Sequence, residues 1–224
     1  MTPNDLKYGN DAQSFQDWAK EPNPYEDLMP KLSLTLPFAN DSFEVLRELQ
    51  YLTELTRASD LESKMPLFRK IDADMTGFLS GVFSRIGIEW KDEAFDYLIS
   101  QISPLTVRLK DKYNRARPYQ LAFYREIDLH PFASLSAGSA SYPSGHTLNS
   151  GYILEVFSKI FEGAEIKLKK TWGVIAKSRE ALGLHYPSDN RFSAEILKKV
   201  MKHPHTEIAI NTVFAMYDAK GGIK

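Results

Sequence analysis

The chain has 224 residues, 43% of them hydrophobic and 25% charged, with a formal net charge of −1. That mixture suits one globular core and excludes disorder of the whole chain. The near-neutral balance excludes a general nucleic-acid binder, which needs a basic face, and the absence of cysteine excludes disulfides, thiolate nucleophiles and cysteine metal sites.

Residues 1–40 are punctuated by Pro3, Pro22, Pro24, Pro30 and Pro37, which block continuous helix. They read as an irregular arm with one short helix, able to pack on a body through Trp18, Tyr25, Leu28, Leu32 and Leu36. No apolar signal-peptide core occurs there, and no run of about 20 apolar residues could span a membrane. The expected location is the cytoplasm if Met1 is the native start, or the periplasm or exterior if a signal peptide was removed.

From Asp41 the pattern turns helical, and residues 41–224 read as one domain. Asp41 and Glu44 have capping-box spacing, followed by Val45, Leu46, Leu49, Leu52 and Leu55. Phe68, Ile71, Met75, Phe78, Val82 and Ile86 form one stripe at steps of three or four. Phe95, Leu98, Ile99, Ile102 and Leu105 form another, ending near Arg117–Pro118. Two more run through Leu148, Tyr152, Val156 and Ile160, and through Leu168, Trp172, Ile175, Arg179 and Leu182. A last one runs from Ile196 to Val200 and from Ile208 to Tyr217, interrupted at Pro204. Alternating strand patterns are scarce, so the expected class is all-α, a single-domain helical bundle.

Three clusters stand out. Lys110 precedes Arg117–Pro118 by seven residues, almost two helical turns, which would put both cations on one face. Alone this fits a solvated basic face, with Lys112 and Arg115 beside it. Pro143-Ser144-Gly145-His146 precedes an apolar helix; Ser144 can cap it, and the amides of Gly145 and His146 would then face an anion. Alone this fits a plain cap with an incidental histidine. Ser178-Arg179, His185 and Asp189 follow. Gly183 can end one helix and Pro187 can start the next, leaving His185 in the elbow. A carboxylate four residues on could fix its tautomer. Alone this fits a helix–turn–helix with a space-filling histidine. By average residue usage the three together are not a coincidence.

This ordered triple resembles the signature of the type 2 phosphatidic acid phosphatase and vanadium haloperoxidase superfamily, over residues 106–189. Tyr113, Arg115 and Ser141-Tyr142-Pro143 are similar to local patterns of the bacterial class A non-specific acid phosphatases. The resemblance implies an all-α phosphatase acting on phosphate monoesters through a phosphohistidine. His185 would be the nucleophile, Asp189 its orienting acid and His146 the general acid. Lys110, Arg117, Arg179, Ser144 and the Gly145 amide would hold phosphate, without a metal or other cofactor. Vanadate is expected as an inhibitor. The implied partner is a small phosphorylated substrate, with no dedicated nucleic acid, no membrane insertion and a homodimer or larger assembly by analogy. After Asp189 the family continues with a small aliphatic residue and Ala-Gly, whereas Asn190, Arg191, Phe192 and Ser193 stand here. That puts the packing behind the site in question.

The same pocket could hold vanadate as the cofactor of a haloperoxidase, although such enzymes are generally longer. A non-catalytic helical anion-binding module is a further alternative, which the paired His185 and Asp189 argue against. Asp72, Asp74 and Gly77 imitate a calcium loop, but Phe83 stands where its twelfth-position glutamate belongs. His203 and His205 read as surface residues of a turn at Pro204. The rim that sets specificity is expected from residues 1–40 and 119–142.

Overall fold

Ten α-helices carry the chain in the computed structural model, which describes residues 2–10, 12–34 and 37–218. Leu36 lies outside the described residues. The helices are α1 (Gln13–Lys20), α2 (Phe43–Thr56), α3 (Met65–Ala73), α4 (Met75–Arg85) and α5 (Asp92–Tyr113), then α6 (Pro118–Tyr124), α7 (Gly145–Ile160), α8 (Glu165–Ala181), α9 (Pro187–Val200) and α10 (Pro204–Asp218). Among the described residues there is no strand, only an isolated bridge between Lys7 and Arg115. The fold is all-α.

The most apolar stretches lie at the centre. Leu148, Tyr152, Val156 and Phe157 bury the length of α7, which packs against α5, α8, α9 and α10. Close approach depends on Gly151: a Cβ there would sit 2.7 Å from Leu197 Cδ2 and 2.9 Å from Trp172 Nε1. A smaller core lies to one side, where Val45, Leu49 and Leu52 of α2 meet Leu121, Ala122 and Tyr186. The arm reaches the main core through Tyr25, Leu28 and Leu32, and the Tyr25 hydroxyl donates to that of Tyr152 at 2.8 Å.

Several boundaries differ from the periodic reading. The stripe from Phe68 to Ile86 is two helices. Asp74 breaks it, because its carboxylate accepts the Gly77 N–H at 2.8 Å and caps α4. Ser42, not Asp41, caps α2, accepting the Val45 N–H at 3.2 Å. Pro204 opens a separate helix, α10, and there Ile208 faces out while Ala209, Val213 and Tyr217 are buried. No described helix is long and apolar enough to cross a membrane.

Candidate active site

The first cluster straddles a break. α5 stops at Tyr113 because Asn114 turns into the left-handed region (φ 43°), which asparagine tolerates. Arg117 is extended, as a residue before proline prefers, and Pro118 starts α6. Lys110 and Arg117 therefore do not share a helix face, contrary to the spacing argument. Both nonetheless line one cavity of about 340 Å³, together with Gly145, His146 and His185.

α7 begins at Gly145, as the second cluster suggests. Its first N–H groups have no intrahelical acceptor and carry the positive end of the helix dipole. Lys110 lies against this start: a Cβ at 145 would make ordinary contact with its Cε, at 3.5 Å. The Lys110 ammonium in turn donates to the Ala140 carbonyl. Ser144 occupies the cap position without capping. It is fully buried, and its hydroxyl meets Thr147 Oγ1 at 2.9 Å.

The third cluster makes the elbow. α8 ends at Ala181, and Gly183 takes φ +69°, which side-chain-bearing residues rarely adopt. The Leu184 and His185 N–H groups then turn back to the Arg179 carbonyl at 3.0 and 3.3 Å. Pro187 opens α9, and the Asp189 carboxylate reaches back to the Tyr186 N–H at 3.1 Å.

His185 sits between Asp189 Oδ2, 3.2 Å from Nδ1, and Arg117 Nη1, 3.0 Å from Nε2. A guanidinium can only donate, so Nε2 accepts and the ring proton sits on Nδ1, facing Asp189. That is the tautomer a nucleophilic Nε2 requires. Arg117 also donates from Nε to Ser139 O at 2.8 Å and from Nη1 to Leu184 O at 2.9 Å. Arg179 is fully buried, paired through Nη1 with Asp72 Oδ1 at 2.6 Å and through Nη2 with Ser136 Oγ at 2.9 Å. Its Nε is buried with no hydrogen-bond partner.

The electrostatics follow. Burial, then the Arg117 cation, pushes the His185 pKa well below the ordinary imidazole range, against the pull of Asp189. Burial, then Arg179, does the same to His146. Burial alone would raise Asp189, but the Arg115 cation and the hydrogen bonds from His185 and Ser141 hold it well below the usual carboxylate range. Burial and Arg179 push Arg117 down to about 10, still a cation at neutral pH.

The sequence reading gave four participants no role at the site. Arg115, read as part of a solvated face, is buried and ion-paired with Asp189 at 2.5 Å. Ser141 Oγ donates to Asp189 Oδ2 at 2.6 Å. Asp72, dismissed with the false calcium loop, is the partner of Arg179. Ser136 lies between Arg179 and the cavity lining. The remaining wall is mixed: Phe15 and Trp18 from α1, Met75 from α4, and Phe95, Ile99 and Val107 from α5 are its apolar part, with Thr76, Ser103, Thr106, Ser139 and Asn149 between them.

The departure after Asp189 is accommodated. Asn190 accepts from Thr147 Oγ1 at 2.6 Å and donates to the Ala176 carbonyl at 2.9 Å. Ser193 Oγ donates to Asp189 O at 2.7 Å, and Phe192 packs edge-on to Tyr142. His203 and His205 both lie edge-on to Tyr25. Among the described residues no three His, Asp or Glu side chains gather as a metal site would require.

No curated protein matches the chain significantly. A model of the PAP2 superfamily matches residues 94–196. That stretch runs through α5 to α9 and contains all three clusters. Over that stretch, a little under half of its length, the chain is similar to the PAP2 superfamily.

Proposed function

We propose that the protein hydrolyses phosphate monoesters through a phosphohistidine on His185, in the manner of a class A non-specific acid phosphatase. One observation carries this reading: in a single cavity with Lys110, Gly145 and His146, His185 presents a lone pair on Nε2 while Asp189 holds Nδ1. In the first step Nε2 attacks phosphorus, the bond to the ester oxygen breaks, and His146 protonates the departing alkoxide. In the second, His146 takes a proton from water, which attacks phosphorus and releases phosphate and His185.

Phosphoryl transfer spreads negative charge over three equatorial oxygens, so positioned cations do most of the work. Lys110 and Arg117 supply charge from the cavity wall. Arg179 does not line the cavity but lies directly behind Ser136, which does, and its unpartnered Nε is a donor in want of an oxygen. The Gly145 amide supports the same oxygens from the start of α7. Ser144 serves them only by rotating away from Thr147. Bound phosphate displaces Arg117 from Nε2 and takes its hydrogen bonds. The apolar part of the wall, with Phe15, Trp18, Phe95 and Ile99, receives the organic part of the ester. No metal is assigned a role, because three cations already balance the transferred group, and vanadate binds as a phosphate mimic and inhibits.

The test is hydrolysis of p-nitrophenyl phosphate by the full chain and by His185→Ala. The variant is expected to lose turnover and to trap no phosphate on the protein after rapid quenching. Equal rates would discard the nucleophile.

A further inference from the structure

Behind His185, away from the cavity, lies a layer of charge that the reaction above does not use. Arg115 has a side chain only 2% exposed. Its Nη1 donates to Asp189 Oδ1 at 2.5 Å and to Ser188 Oγ at 3.0 Å. Its guanidinium lies 4.0 Å from the centre of the Tyr186 ring. Glu48, carried on α2 by the small core around Leu49 and Tyr186, stands 3.7 Å from Arg115 Nη2. Glu48 also accepts the Ser188 N–H at 2.6 Å and the Ser188 hydroxyl at 2.7 Å. The first turn of α9 is thus gripped from two sides, one residue before Asp189.

A fully buried arginine is costly unless paired. Asp189 already has three donors on Oδ2, namely Ser141, the Tyr186 amide and His185. Orientation of His185 alone would need no cation on Oδ1. A cation there adds its field to those hydrogen bonds, which already favour the ionised carboxylate. It opposes any extra proton on the His185–Asp189 pair, and such a proton would close the Nε2 lone pair.

We propose that Arg115 is a positioning residue for phosphoryl transfer, acting through Asp189 Oδ1 to keep the His185–Asp189 pair proton-poor and its carboxylate fixed. The proposal rests on His185 being the nucleophile. Other titratable groups surround the pair: Lys110 on α5 and Arg117 ahead of α6 act on His185, and Glu48 on α2 acts on Asp189. His146 on α7 shares the cavity, where Arg179 on α8 and Asp72 on α3 act on it in opposite senses. Arg115 differs from the other cations in touching Asp189, and it does not line the cavity. Its removal therefore changes the nucleophile without removing a phosphate ligand.

The experiment compares pH profiles of kcat/KM for p-nitrophenyl phosphate among wild type, Arg115→Met, Arg115→Gln and Arg115→Lys. The substrate's own titration is common to all four. In Arg115→Met and Arg115→Gln the acid limb should move to higher pH by about one unit, because a carboxylate loses its neighbouring cation. Turnover should fall about tenfold or more, with KM little changed. Arg115→Lys should return the limb towards wild type. Limbs that stay in place while turnover falls overturn the proposal, since a merely structural arginine would act that way. Arg115→Gln keeps hydrogen bonding without charge, and decides the matter if Arg115→Met does not fold. A fully active His185→Ala would remove the underlying reading. An inactive His185→Ala with unmoved Arg115 limbs would remove this proposal alone.

Discussion

Two buried arginine–aspartate pairs lie around the His185 site, and they are built to opposite ends. In Arg115–Asp189 the carboxylate is wholly enclosed, and its two oxygens take four donors, while Nε and Nη2 of the arginine are buried without hydrogen-bond partners. Neither residue lines the cavity. In Arg179–Asp72 the acid is 12% exposed, the arginine keeps an unpartnered Nε, and both bind Ser136, which lines the cavity. A pair enclosed away from the cavity is a fixture, whereas a pair beside it can exchange partners. Under the proposed function, Arg179 is held by Asp72 in the free pocket and is available to a phosphate that outcompetes it. On that reading, identical residue types give one unit that tunes a nucleophile and another that waits for substrate.

The largest expected effect breaks the fixture. Asp189→Asn should cut turnover by about 10³–10⁴, because an amide can hold the imidazole in the wrong tautomer. A loss below tenfold in p-nitrophenyl phosphate turnover would mean that Asp189 is only structural. Arg179→Ala should cost about 10²–10³ in kcat/KM, the range for losing one aligned donor to a developing charge. An unchanged rate would place Arg179 outside the transition state and erase the contrast between the pairs.

His146 sharpens the picture by leaving group. His146→Ala should slow an alkyl phosphate by about 10²–10⁴ and an aryl phosphate much less, since p-nitrophenolate leaves unaided. Equal slowing would argue against a general acid. The pH dependence has a definite sign. Burial and Arg179 lower the His146 pKa in the free pocket, so at neutral pH the proton must arrive with the substrate. kcat/KM should therefore rise as pH falls from alkaline to mildly acidic, until the His185–Asp189 pair takes up a proton. A profile rising towards alkaline pH would contradict this assignment.

What the sequence made legible is what local chemistry decides. Gly183 in the left-handed region and Pro187 at the start of α9 are backbone features, readable one residue at a time. So is the His185–Asp189 spacing within one turn. Helical periodicity gave the class, but it ran α3 and α4 together, because the capping carboxylate of Asp74 is invisible to a count of apolar residues. The second layer of the site was not legible. Glu48 meets Ser188 across 140 positions, and Asp72 meets Arg179 across 107. Charges that tertiary packing buries look solvated until the fold closes over them, as Arg115 illustrates. The expected rim was partly right: Phe15, Trp18, Ser136 and Ser139 line the cavity, but so do Met75, Phe95 and Ile99 from outside those segments.

The smallest expected effect separates the pairs without chemistry. Asp72→Asn leaves the Arg179 cation buried and uncompensated, which should cost about 2 kcal/mol or more. For a chain of this size that lowers Tm by roughly 5 °C. Inorganic phosphate should then restore more stability to Asp72→Asn than to wild type, because the anion replaces the missing carboxylate and need not compete with it. Arg115→Gln should show no such extra rescue, since the layer it leaves behind does not line the cavity. Thermal melts with and without phosphate read both outcomes. Equal phosphate rescue of the two variants would mean that the pairs answer alike to the anion, and that the division between fixture and exchangeable partner is wrong.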